Sequence, residues 1–167
     1  MSEKRPVLKL RYSFLEKASI VLSAILFIIN FIVVIFYWNK LPSIIPTHYD
    51  AADNVNGTGA RGSILILPII NLAILLMLTI LSKFPHLYNY SVNITKENAQ
   101  YQYKNARSLM LVMNVEITIC FSYISLRTLY SIFTKTNSLG VLFLPIFLLL
   151  ILGTTAYFMW KMYRNKE

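Results

Sequence analysis

Residues 18–38 read ASIVLSAILFIINFIVVIFYW. The β-branched content of ILFIINFIVVIF favours a strand in water. Length and the lack of turn residues overrule that preference. A helix rising 1.5 Å per residue needs about 20 residues to cross a hydrocarbon core of roughly 30 Å. Inside that core every backbone N–H and C=O must be paired within the segment, and a helix does this. FYWNK closes the run with aromatic rings and a lysine, residues favoured at a membrane–water interface. The run is too long for the apolar region of a cleavable signal peptide, and no small-residue cleavage site follows it.

Three more blocks repeat the pattern: Ser63–Leu81, Leu109–Phe133 and Leu139–Trp160. YFMWKMYR ends the last with the same aromatic and basic residues. Hydrophobic residues make up 56% of the 167-residue chain and charged ones 14%, against about 25% charged in soluble domains. Mean hydropathy is +0.57. The expectation is an all-α membrane protein with four transmembrane helices. A basic N-terminus (1–17) and a short tail (161–167) flank a membrane domain over 18–160.

Lysine and arginine set the orientation. Twelve of the sixteen lie in residues 1–17, 82–108 and 161–167, among them Lys4, Arg5, Lys9 and Arg11. The opposite side holds Lys40, Arg61 and Lys135, and Arg127 lies within a block. Positive-inside places both termini and the middle loop in the cytoplasm of a multi-pass cell-membrane protein. The net charge of +9 is then topological. No segment is large enough for the basic patch of a nucleic-acid-binding domain, so nucleic acid is not an expected partner. The bilayer is, with a generic attraction of residues 3–17 for anionic headgroups. The lone Cys120 excludes a disulfide within the chain and reads as a small apolar residue.

Residues 41–63, LPSIIPTHYDAADNVNGTGARGS, join the first two blocks. Pro42 and Pro46 restrict φ and bias the residues before them toward extended geometry. An ordered external loop is expected, with Ile44 and Ile45 on the bundle mouth and His48 turned toward the bundle. NVNGTG is expected to reverse the chain, since Asn-Gly tolerates φ > 0. No metal is expected. With Gly57 at the sixth position of an EF-hand, Ala52 and Ser63 would have to be ligands, and neither can serve. His48 and His86 fall on opposite sides of the bilayer. No phosphate loop, HExxH or GxSxG occurs. The chain reads as a non-enzyme without a cofactor.

Charged and polar residues inside the blocks are the exceptions. Glu116 lies about eight residues into the third block, where a carboxyl must be neutral or paired. Asn114, Thr154 and Thr155 fall at similar depth as candidate partners. Asn30 and Asn71 share a depth and are expected to bond to each other, tying the first two spans. Before the third span, Thr95 or Asn93 could cap a helix carrying Tyr101, Lys104 and Arg107 out of the membrane.

Several of these residues together carry a resemblance. The loop above, FPHLYNYSVNITKENAQYQYKNAR and MNVEITICFSYI resemble the bacterial membrane domain of unknown function 1648 over residues 20–130. Its pattern matches Pro42, Pro46 and His48, then Gly57 and Gly59, then Phe84, Pro85, His86 and Tyr90. Asn98, Tyr103, Arg107 and Glu116 complete it. Asp53 stands where that family often has glycine. The domain also forms the N-terminal part of SdpI-type immunity proteins. The resemblance therefore implies a bacterial multi-pass protein and a binding, immunity or signalling role. Its implied partners are a peptide toxin, an envelope component or a regulatory protein, and its binding candidates are His48, Pro42, Pro46, Gly57, Glu116, Asn98, Tyr103 and Arg107. The alternative is a small-molecule or proton-handling protein centred on Glu116.

The charge count yields a test. Cytoplasmic reporters fused at residue 95 and at the C-terminus are expected to be active, and one at residue 55 inactive. A membrane-impermeant thiol reagent that labelled a cysteine at residue 95 from outside intact cells would reverse the orientation.

Overall fold

The computed structural model describes residues 5–50, 53–134, 136 and 139–166. Lys4 and Lys135 of the charge count, and Ala52 of the rejected EF-hand register, lie outside the described residues. Four helices dominate: α1 Phe14–Tyr37, α2 Ile66–Leu81, α3 Ala99–Thr134 and α4 Phe143–Arg164. All four are long and apolar enough to cross a membrane. The first starts ahead of its apolar run because Ser13 caps it. The Ser13 hydroxyl accepts from Glu16 N at 3.2 Å, and Glu16 Oε2 accepts from Ser13 N at 2.7 Å. This reciprocal capping box satisfies two end groups that a helix leaves open.

The 36 residues of α3 rise about 54 Å, well beyond a hydrocarbon core. Of the two sequence candidates for its cap, Thr95 sits in a reciprocal turn with Asn98 just ahead of the helix. Asn98 N donates to Thr95 Oγ1 at 3.3 Å and Thr95 N donates to Asn98 Oδ1 at 3.0 Å. The other candidate, Asn93, instead offers its carbonyl to Asn98 Nδ2 at 3.0 Å.

Every other helix packs on α3. The buried side of α1 is Glu16, Ser19, Ser23, Asn30 and Val34, with two small residues four apart. Small residues let helix backbones approach where the surrounding lipid offers no hydrophobic drive. Polar bonds tie the other two. Thr118 Oγ1 donates to Asn71 Oδ1 at 3.1 Å, and Asn114 Nδ2 to Leu75 O at 3.3 Å, joining α3 to α2. Asn105 Nδ2 donates to Phe158 O at 2.9 Å, and Gln102 Nε2 to Asn165 O at 2.7 Å, holding the end of α4. The expected Asn30–Asn71 bond is absent. Asn71 is taken by Thr118, because α2 meets α3 through this face. Asn30 is buried on α1 without a hydrogen-bond partner among the described residues.

Between α1 and α2 the expected ordered loop is a β-hairpin. Strands β1 (Ile44–Tyr49) and β2 (Val55–Ala60) pair antiparallel, Ile45 opposite Gly59 and His48 opposite Gly57, with irregular register around Thr47 and His48. Both strands are edges, so Pro46 forfeits little by lacking an N–H. Alternation fixes the seat: Ile44 is exposed, while Ile45 is 1% exposed and packs with Val34, Leu41, Ile64 and Leu129.

The reversal is not at NVNGTG. Among the described residues the strands are joined ahead of its Asn-Gly pair by Asp50, Asp53 and Asn54: Asp50 N donates to Asn54 O and Asp53 N to Asp50 O, both at 2.9 Å. Asp53 takes φ 67, a left-handed conformation that Asp tolerates better than most residues. Its carboxylate accepts from Leu139 N at 2.7 Å and Gly140 N at 2.8 Å. An aspartate at a position where glycine would serve the turn thus also fastens the hairpin tip to the α3–α4 connection.

Gly57 and Gly59 serve close approach between strands. A Cβ on Gly57 would sit 2.9 Å from His48 Cβ, whereas one on Gly62 would meet nothing within 4 Å. Overpacking of this kind costs about 1–3 kcal/mol. Gly57→Ala is expected to speed amide hydrogen exchange across 44–60 by about fivefold or more. Gly62→Ala should leave it unchanged, and both should keep the helices protected. Equal protection in the two variants would refute this role for Gly57.

Candidate functional site

The hairpin roofs a cavity of about 550 Å³ between β1, the start of α2 and the far end of α3. Pro46, Thr47, His48 and Tyr49 line it from above, and Ser63, Ser125 and Thr128 from the helices. Ser125 is 1% exposed, and its hydroxyl has no hydrogen-bond partner among the described residues. The Tyr49 hydroxyl is likewise buried and without a partner there. Orphaned donors beside a cavity are unusual, since buried polar groups are normally satisfied.

His48 borders this cavity but does not turn into the bundle. It is exposed, and its Nδ1 bonds Asn56 Oδ1 across the hairpin. The cross-strand partner takes the ring because the irregular register puts Asn56 beside it. Pro42 lies exposed at the approach to β1.

Glu116 belongs to a different place. It is 4% exposed and lines a cavity of about 260 Å³ between α3 and α4, largely apolar and aromatic. Of its three sequence candidates only Thr154 reaches it, donating to Oε1 at 2.5 Å. Asn114 faces α2, and Thr155 donates to Ile151 O within its own helix. Oε2 has no hydrogen-bond partner among the described residues. Nine residues of helix, about 13 Å, separate Glu116 from Ser125.

The remaining three candidates gather at the end of the bundle that carries both termini, with different partners. Asn98 Nδ2 donates to Lys166 O at 2.8 Å and so caps the chain after α4. Tyr103 is fully buried, its ring 5.7 Å from that of Tyr90. Tyr90 and Tyr88 hold the loop in place by donating to Pro85 O at 2.8 Å and Leu81 O at 2.9 Å. Burial pushes both phenol groups above the usual tyrosine range.

Arg107 is held by several partners at once. Its Nε donates to Glu16 Oε1 at 2.8 Å and its Nη2 to Glu16 Oε2 at 3.0 Å. Nη1 reaches Leu10 O at 3.2 Å and Nη2 reaches Arg11 O at 2.8 Å. The Tyr12 ring lies 4.3 Å from the guanidinium carbon, within cation–π range. Ser108 Oγ adds a bond to Glu16 at 3.1 Å. Both ions are nearly water-free, at 3% and 1% side-chain exposure. Sequence reasoning marked Arg107 and missed Glu16. The available signal was Ser13-Phe-Leu-Glu16 just before an apolar run, the capping-box pattern. Ser125 and Tyr49 carried no signal, because a serine in a span and a tyrosine in a loop are ordinary. Among the described residues no group of three or more His, Cys, Asp or Glu could hold a metal ion.

The architecture is that of a multi-pass helical membrane protein with a hairpin-capped end. Residues 25–72 match the family model described as a domain of unknown function, DUF1648. The matched stretch runs from α1 through the hairpin into α2, and is shorter than the 20–130 span of the sequence resemblance. The Phe84-to-Tyr90 motif, the Asn98–Tyr103–Arg107 set and Glu116 lie beyond it. No curated protein and no solved structure matches the chain.

Removing one member of a buried ion pair strands the other, at about 3–5 kcal/mol. Arg107→Met and Glu16→Met are each expected to lower unfolding stability in mild detergent by that order. The double variant should lose clearly less than the sum, since no lone charge remains. Strict additivity in this cycle would show that the two residues stabilise the fold independently.

Proposed function

We propose that the protein is a non-enzymatic, multi-pass component of a bacterial cell membrane that binds a partner through its hairpin-capped cavity. Under the positive-inside count this end faces outward and both termini face the cytoplasm. The supporting observation is the Ser125 hydroxyl, buried and unpartnered beside a cavity of about 550 Å³ that a pinned hairpin roofs. The pairing of apolar walls with a few convergent polar groups suits a small ligand or an inserted side chain. The resemblance to the SdpI-type N-terminal domain favours a peptide toxin or envelope component as that partner, in an immunity or signalling role.

A second reading rests on Glu116. This carboxyl lies beside a cavity of about 260 Å³ and makes no ion pair among the described residues. An intramembrane carboxyl of this kind is a candidate for small-molecule or proton handling.

Two variants separate the readings. Ser125→Leu fills the capped cavity, and Glu116→Gln keeps shape while removing the ionisable group. Both are to be scored for membrane accumulation, monodispersity in detergent and growth of producing cells under peptide-toxin or envelope stress. Loss of protection with Ser125→Leu and its retention with Glu116→Gln is the expected result. The reverse pattern in two well-folded variants would replace the capped-cavity reading with the Glu116 reading.

A further inference from the structure

At the opposite end of the bundle, residues 7–12 and 83–86 wall a second cavity of about 550 Å³. We propose that it binds the phosphate headgroup of an anionic phospholipid.

The walls are held in place by specific bonds. Arg107 grips the carbonyls of Leu10 and Arg11, and the Tyr12 hydroxyl lies 3.1 Å from Ser82 Oγ at the end of α2. The first wall is thereby fastened to α3 and to the start of the second. Arg107 itself is neutralised by the bidentate Glu16 carboxylate. Three other cations border the cavity: Lys9, Arg11 and Lys83. None of their side chains has a hydrogen bond or ion pair among the described residues. Three like charges around one cavity repel one another, and a bound oxyanion removes that repulsion. His86, half-buried, adds a further ring N–H donor at the same wall.

Free phosphate and a lipid headgroup share this chemistry, and the apolar residues choose between them. Val7, Leu8 and Phe84 belong to the same cavity and are exposed, Val7 by 73%. They flank the start of α1 and the end of α2, where the apolar runs give way to polar and basic residues. A free anion has no use for that apolar rim. A phospholipid places phosphate among the cations and acyl chains along the rim.

The test uses the full chain in mild detergent, with native mass spectrometry reading retained lipid and thermal unfolding reading stabilisation. The probes are dioleoylphosphatidylglycerol, dioleoylphosphatidylcholine and inorganic phosphate. Wild type is expected to hold one phosphatidylglycerol about tenfold or more tighter than phosphatidylcholine, as several nearby cations would give. The Lys9→Gln/Arg11→Gln/Lys83→Gln variant should lose that preference. A control with the same charge loss at exposed sites, Lys17→Gln/Lys104→Gln/Lys166→Gln, should keep it. If the triple variant fails to fold, Arg11→Gln and Lys83→Gln singly should each reduce the preference severalfold. Equal loss in the control, or an undiminished preference in the cavity variants, would overturn the site. Stabilisation by inorganic phosphate equal to that by phosphatidylglycerol would overturn the lipid assignment.

Discussion

The buried contact between Glu16 and Arg107 sets the register of the molecule. Two ions at the edge of an apolar medium are expensive apart, and they are stable together only when every remaining donor and acceptor is used. Here the carboxylate also completes the cap of α1, and the guanidinium also fixes the backbone of residues 10–11. One contact therefore sets where α1 begins, how it lies against α3, and where the N-terminal segment returns. The basic cavity near Lys9 and Lys83 exists because that segment is held down.

From this anchor the polar face of α3 organises the rest. In water a helix buries its apolar side, but in lipid the surroundings are as apolar as leucine and that drive vanishes. The buried residues of α3 are accordingly rich in Asn, Gln, Ser, Thr and the two charged groups. They bond α2 through Asn114 and Thr118, and α4 through Gln102, Asn105 and Glu116. Where these bonds stop, toward Ser122 and Ser125, the hydroxyls have no partner among the described residues and the capped cavity opens. The candidate site is thus the part of the polar face that packing leaves unused.

The hairpin closes that end by a different economy. It is two strands with no sheet to join, and such a hairpin is marginal by itself. Ile45 buried against four core residues and Asp53 bonded to two backbone amides supply the missing support. Gly57 and Gly59 let the strands and Thr47 come close enough for that seat.

Local composition determined a great deal. Run length and apolar content are properties of consecutive residues, so four membrane-length helices were legible. So were the long third helix, the Thr95 and Asn93 pair of candidates for its start, and an ordered loop over residues 41–62. Motifs scattered along the chain marked Arg107, Glu116 and His48, though not their partners. Pairing was the part decided by tertiary structure, because it depends on which helix faces meet. Glu16 lies 91 residues from Arg107, and no periodicity links them. Asn71 chose Thr118 over Asn30 because α2 turns that face to α3, and His48 chose Asn56 because a strand register put it there. The cavities follow from the same cause: each is space left between elements distant in sequence, and the side chains bordering it have neighbours only the folded chain assigns.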